Sequence, residues 1–288
     1  MIRLWALRLF GPLAGRYPAL FYPIASTVGW LAWQLMPRER ARVARNLLPL
    51  CDGDRRRARK EGVRAYRNVA RYWVDLVSLA HRDMSKFEAQ HMHIVHADRL
   101  SALTTPGPVV AVSAHTGNAE LAVQALTWRG RPYVALVERL EPPAMADHVQ
   151  RLRAAAGGSF HEADFRGLKA LIAALRRGEL VGVMGDRDIQ GSGVCVDMAG
   201  RRVKLPRGPW ELARRTDALV VPMFTARVDG DDFALYVEEP FRVRCSDSAE
   251  DDVQRAAERF ARVLEAHLRR DPGQWAVRED FWRVHDCG

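Results

Sequence analysis

The chain has 288 residues, 48% of them hydrophobic, enough to bury a substantial core as one large α/β unit with a helical extension. Its formal charge of +9 is uneven: residues 1–72 carry 15 Lys or Arg against 4 acids, which points to a polyanionic partner surface, and the apolar residues among these arginines favour an anionic bilayer over nucleic acid. The widely spaced Cys51, Cys195, Cys245 and Cys287 contain no C-x-x-C, which argues against a cysteine zinc site or a stapled secreted framework and predicts a reduced, cytosol-facing protein.

Residues 1–36 are apolar with Arg3, Arg8 and Arg16 interspersed, and these arginines inside the apolar run argue against a cleavable signal peptide. The uncharged stretch Tyr17 to Met36 is long enough to span a bilayer, but Pro18, Pro23 and Gly29 interrupt it, and Trp5, Tyr17, Tyr22, Trp30 and Trp33 suit an interface. A hairpin lying on the membrane surface or shallowly inserted is expected, with a true span as the lesser alternative. Pro37 to Leu50 reads as a basic helix. Asp54 to Leu79 continues it, with Val63, Tyr66, Val69, Tyr72, Trp73 and Leu76 near helical spacing. His91, His93 and His96 fall in an expected edge strand, and with no acid or cysteine nearby in sequence no metal site is assigned to them.

Val109 to Val112 is a short β-branched run bounded by Gly107-Pro108 and Thr116-Gly117-Asn118, the punctuation of a buried strand that ends at His115. Asn118 is a good N-cap for the helix that follows, which places Glu120 in its first turn. Further βα alternation follows: a strand at Pro132 to Val137, the charged Glu138-Arg139, a helix from Ala144 to Ala156, a short strand Ser159 to Glu162, a helix Gly167 to Arg177, and a buried strand Leu180 to Met184. Asp186-Arg187-Asp188 comes next, then a hairpin of Val194 to Met198 and Arg202 to Leu205, and a helix opened by Pro209. Strands at Ala218 to Phe224 and Phe233 to Glu238 and an amphipathic helix Glu250 to Arg270 complete the pattern. The repetition predicts an α/β fold with a mostly parallel sheet flanked by helices, with functional residues at the carboxyl ends of strands.

His115 and Glu120 are five apart, about 140° on a continuous helix, so they meet only if the chain turns at Thr-Gly-Asn. Such a turn would pair a general base with a carboxylate that fixes its tautomer. Ser113 lacks a nucleophile elbow. Asp186 and Asp188 admit two roles: holding a divalent metal on a nucleotide-sugar, or supporting His115 while Arg187 binds an anion. Neither G-x-x-x-x-G-K-[ST] nor G-x-G-x-x-G occurs, so no nucleotide cofactor has a motif behind it.

The blocks AHTGNAEL, VMGDRD and GVCVDMAGRRVKLPRGPWELARRTDALVVPMF, in that order, with the basic apolar N-terminus and the PGQW tail, resemble the bacterial lipid A and phosphatidylinositol-mannoside acyltransferases of the glycerolipid acyltransferase superfamily. The resemblance implies a membrane-associated O-acyltransferase at the cytoplasmic face of the inner membrane. Residues 1–80 would be a membrane-associating arm and residues 81–288 the acyltransferase domain. The acyl group would pass from a thioester, acyl-CoA or acyl-ACP, to a hydroxyl of a glycolipid or lysolipid, with no metal and no cofactor. The family's His-x4-acid motif falls on His115 as general base and Glu120 as its partner. The later acid falls in the loop of Asp186 and Asp188, without indicating which of the two contacts the histidine. Asn118, Glu138, Arg139, Arg153 and Arg187 would form the substrate-binding set. Ala119 stands where the lipid A enzymes carry an aromatic residue, and Arg187 makes the loop Asp-Arg-Asp rather than Asp-Gln-Asp, which looks closer to the mannoside enzymes. Two other functions stay open on the residues alone: a metal-dependent glycosyltransferase using Asp186 and Asp188, and a non-catalytic membrane-binding protein.

Overall fold

The computed structural model describes residues 2–138, 140–154 and 157–288. Four helices come first: α1 (Ile2–Arg16), α2 (Pro18–Leu35), α3 (Pro37–Leu47) and α4 (Arg55–Ser78). Asp54 caps α4 by accepting hydrogen bonds from the backbone N–H groups of Arg56 and Arg57. Gly29 lets α2 cross α4 closely, since a Cβ there would lie 2.6 Å from the Tyr66 carbonyl oxygen. Tyr22, Gly29 and Trp33 are buried, while Leu20, Ile24, Val28, Leu31 and Leu35 recur near helical spacing on the exposed side.

Among the described residues no helix is long and apolar enough to cross a membrane. Within the stretch from Tyr17 to Met36, α2 runs over Pro18–Leu35 as one helix with the face of Tyr22, Gly29 and Trp33 packed on the protein. The arm also shares its core with the body: Trp33, Val43, Leu47, Leu50 and Tyr66 cluster with Trp275, Phe281 and Trp282 of the C-terminal tail.

The body continues with α5 (Met84–His91), β1 (Met92–Val95), α6 (Ser101–Thr104), β2 (Val109–Ser113), α7 (Ala119–Trp128), β3 (Tyr133–Val137), α8 (Pro143–Ala154) and β4 (Ser159–Glu162). Then come α9 (Phe165–Arg176), β5 (Leu180–Met184), the hairpin β6 (Val194–Met198) and β7 (Arg201–Leu205), and α10 (Gly208–Thr216). The chain closes with β8 (Leu219–Arg227), β9 (Phe233–Val237), β10 (Phe241–Arg242), α11 (Ala249–Arg270) and α12 (Phe281–Val284). The main sheet has the order β1-β9-β8-β2-β5-β3-β4, with β10 on the start of β8. Strands β2, β3, β4, β5 and β8 run parallel, and β9 reverses the direction.

Alternation along the strands builds a core on each face. Val110, Val112, Val181 and Val220 meet Trp210 of α10 and Phe260 and Leu264 of α11. Val109, Ala111, Leu180 and Val221 meet Leu121 and Leu126 of α7 and Val149 of α8.

Two expectations are corrected. Only His93 of the three histidines lies in β1; His91 ends α5 with its Nδ1 2.8 Å from Asp232, and His96 adopts φ 59° beyond the strand. Cys195 and Cys287 are joined by a disulfide, so the thiols are not all reduced. A separation of 92 residues hides this pairing in the sequence. The tail reaches the hairpin through a Val203–Asp286 bridge, and the Lys204 N–H donates to the His285 carbonyl oxygen.

Candidate active site

Parallel register builds the site. Ser113 at the end of β2 sits opposite Met184 at the end of β5, and the Gly185 N–H donates to the Ser113 carbonyl oxygen at 2.8 Å. His115 and Asp186 each lie two residues beyond those ends, and neighbouring strands are about 4.8 Å apart, so the two side chains arrive within hydrogen-bond reach. His115 Nδ1 is 2.8 Å from Asp186 Oδ1, and the His115 backbone N–H donates to Oδ2 at 3.0 Å. The Trp275 indole N–H donates to the same Oδ2 at 3.0 Å.

Asp186 is fully buried, and burial alone would raise its pKa, but the His115 charge and these donors together hold it below the usual carboxylate value. Burial is also the largest influence on His115 and lowers its pKa. The adjoining Asp186 charge and hydrogen bond outweigh it, so the imidazole ends above its ordinary value. A carboxylate on Nδ1 makes that nitrogen the N–H donor and leaves the Nε2 lone pair free for a substrate proton.

Glu120 does not orient His115. Its Oε1 accepts from Arg153 Nε at 2.8 Å and Nη2 at 2.6 Å, and from the Tyr72 hydroxyl at 3.1 Å. The turn that lets His115 reach the strand end carries the helical residue Glu120 away toward α4 and α8. Asn118 is buried; its Oδ1 caps α7 through the Glu120 and Leu121 N–H groups, and its Nδ2 donates to Asp75 Oδ2 at 2.9 Å. Gly117 adopts φ 53°, and a Cβ there would lie 2.2 Å from the Thr225 carbonyl oxygen, so only glycine permits this turn.

In the second loop, Asp188 accepts from the Gly193 N–H at 2.7 Å and braces the turn, so it is Asp186 that contacts the histidine. Arg187 makes paired hydrogen bonds to Glu279 at 2.8 and 3.0 Å and reaches Glu138 at 2.6 Å. Arg139 lies outside the described residues.

Asp75, Glu279, Tyr72 and the Trp275 indole N–H also bind the residues of the site, and no motif in the chain marks the first three. Asp75 is fully buried and accepts from Tyr22 at 2.6 Å as well as from Arg227 and Asn118. Its signal was a lone carboxylate inside the apolar run Trp-Val-Asp-Leu-Val. For Trp275 the signal was the PGQW block.

His115 lines a cavity of about 1590 Å³. Ala135 and Leu136, neighbours in β3 whose side chains point to opposite faces, both line it, as do Gly182 and Val183 in β5. The cavity therefore folds over the carboxyl edge of the sheet and reaches down both faces. One lobe, beside α9 and α10, is walled by Leu168, Leu171, Ile172, Leu175 and Leu212. The other holds Tyr72, Trp73, Val123 and Phe160 around the Glu120–Arg153 pair.

The chain is 26% identical over 221 residues to the phosphatidylinositol mannoside acyltransferase of Mycolicibacterium smegmatis, covering 75% of this chain and 70% of that one. It is 28% identical over 222 residues to the protein of the same name from Mycobacterium tuberculosis, covering 75% and 68%. A solved structure of the 1-acyl-sn-glycerophosphate acyltransferase PlsC from Thermotoga maritima aligns with a TM-score of 0.40 at 14% identity, over 86% of this chain and 97% of that one. The family model for bacterial lipid A biosynthesis acyltransferases matches residues 2–283, a span that takes in the His115 turn, the Asp186 loop and the Trp275 tail together. The chain is thus an acyltransferase and belongs to the bacterial lipid A biosynthesis acyltransferase family.

Proposed function

We propose that this enzyme moves a fatty acyl group from an acyl thioester, acyl-CoA or acyl-ACP, to a hydroxyl of a glycolipid or lysolipid, with His115 as general base. The observation that carries this reading is His115 at the rim of a cavity with an apolar lobe, backed by the buried carboxylate of Asp186. His115 Nε2 takes the proton from the acceptor hydroxyl as the oxygen bonds to the thioester carbonyl carbon. Collapse of the tetrahedral intermediate breaks the carbon–sulfur bond, and the thiolate leaves with that proton. The lobe walled by Leu168, Leu171, Ile172 and Leu175 receives the acyl chain, whose burial yields about 0.8 kcal/mol per methylene. A glycolipid acceptor is favoured by the likeness to the mycobacterial phosphatidylinositol mannoside acyltransferases.

The enzyme works peripherally at an anionic membrane surface, the cytoplasmic face of the inner membrane. Exposed Leu9, Phe10 and Leu13 of α1 and Leu20, Ile24, Val28, Leu31 and Leu35 of α2, next to the basic α3, support this placement. Replacing His115 by Ala in an enzyme that keeps its circular dichroism spectrum should slow transfer by roughly 10²- to 10⁴-fold. Turnover at the wild-type rate would overturn the assignment.

A further inference from the structure

The C-terminal tail grips the reacting pair from behind. The Ala276 N–H donates to the His115 carbonyl oxygen at 2.8 Å, and the Gly117 N–H donates to the Gln274 carbonyl oxygen at 3.3 Å, so Trp275 lies antiparallel to the His115 turn. Its ring is 1% exposed and packs edge-on against Phe281 and Trp282, with centroids at 4.8 and 6.3 Å. That packing leaves the indole N–H aimed at Asp186 Oδ2 at 3.0 Å. Four residues on, Glu279 holds Arg187, the residue after Asp186, and the disulfide from Cys195 to Cys287 fastens the tail's end to β6.

We propose that Trp275 is a positioning residue for transfer: its indole N–H pins Asp186 Oδ2 so that Oδ1 stays directed at His115 Nδ1. This rests on the general-base reading of His115. A carboxylate with both oxygens anchored by fixed donors cannot rotate about its terminal torsion, so His115 keeps one tautomer and one orientation. Without the indole N–H every remaining donor to the carboxylate belongs to His115 itself, so nothing outside the turn fixes the carboxylate and the pair gains freedom to shift and turn. Trp275 does not border the cavity, although Gln274 and Ala276 on either side do, so its effect reaches substrate only through Asp186.

Two full-length proteins test this. In one, Trp275→Phe removes the N–H and part of the ring. The other carries 3-benzothienylalanine, the sulfur isostere of tryptophan without an N–H, in place of Trp275, which keeps the packing if the phenylalanine variant fails to fold. Both should lose roughly 10- to 100-fold in kcat, the scale of one hydrogen bond to a charged group, with KM for donor and acceptor within about twofold. The acid limb of the kcat/KM profile should move to lower pH, because a carboxylate free to turn away stabilises the imidazolium less. A structural role alone would lower the melting temperature and leave the limb in place. Wild-type kcat in the isostere protein, or a loss with an unmoved limb, overturns the proposal while an inactive His115→Ala protein leaves the general base standing. An active His115→Ala protein overturns both.

Discussion

Replacing Asp186 by Asn tests the site most directly, because the structure dictates which way the amide must face. Three N–H groups converge on the carboxylate: His115 N–H and Trp275 Nε1–H on Oδ2, and His115 Nδ1–H on Oδ1. Asn offers one carbonyl oxygen and one NH2 group. Turning the NH2 toward two fixed donors would leave both unsatisfied at about 1–3 kcal/mol each, so the oxygen takes the Oδ2 position and the NH2 faces Nδ1. His115 must then accept at Nδ1 and carry its proton on Nε2, where the base needs a lone pair. The expected cost is roughly 10²–10⁴ in kcat, or about 2.7–5.4 kcal/mol. KM should hold, since Asp186 does not border the cavity. Initial rates of acyl transfer between pH 5.5 and 9.5 measure both effects. The wild-type acid limb should lie above the ordinary imidazole value of 6.5 and fall in the variant, which lacks the charge that raises His115. A variant with kcat within threefold of wild type and an unshifted limb would refute the tautomer argument.

Two further outcomes follow from the arm and the core. Leu20→Glu combined with Ile24→Glu removes two exposed apolar side chains from α2, each worth about 1.5–3 kcal/mol when buried in lipid. Co-sedimentation with anionic vesicles should drop at least tenfold while the melting temperature holds, and unchanged binding would place the membrane contact elsewhere. His267, stacked on Phe224 and edge-on to Tyr236, has its pKa lowered to about 3 by burial first and the Arg270 charge second. In the unfolded chain it titrates near 6.5, so its contribution is complete above that pH and shrinks as pH falls toward 3. At pH 5 the loss is about 2 kcal/mol. Urea unfolding of wild type and His267→Leu at pH 7.5 and pH 5 should show the variant losing less stability on acidification, and equal losses would contradict the reading.

Much of the fold was legible in the chain because its signals are local. Short β-branched runs such as Val109 to Val112 and Leu180 to Met184, punctuated by glycine and proline, mark buried strands whatever packs on them. Their alternation with helical spacing then implies a parallel sheet with chemistry at its carboxyl edge. His115 was legible for the same reason, as the polar residue at which an apolar run stops.

Its partner was not. Sequence proximity favoured Glu120, five residues away, but the αL turn at Gly117 sends that carboxylate to Arg153 and Tyr72. Pairing His115 with Asp186, 71 residues on, depends on the register of β2 against β5, and pinning Asp186 by Trp275 depends on where a tail 89 residues further on is packed. The disulfide between Cys195 and Cys287 is equally invisible without the packing of the tail on the hairpin. Local periodicity determined the elements and the strand end that carries the histidine. Strand register and tail packing are long-range contacts with no local spacing to betray them, and only the tertiary structure decided which acid His115 meets.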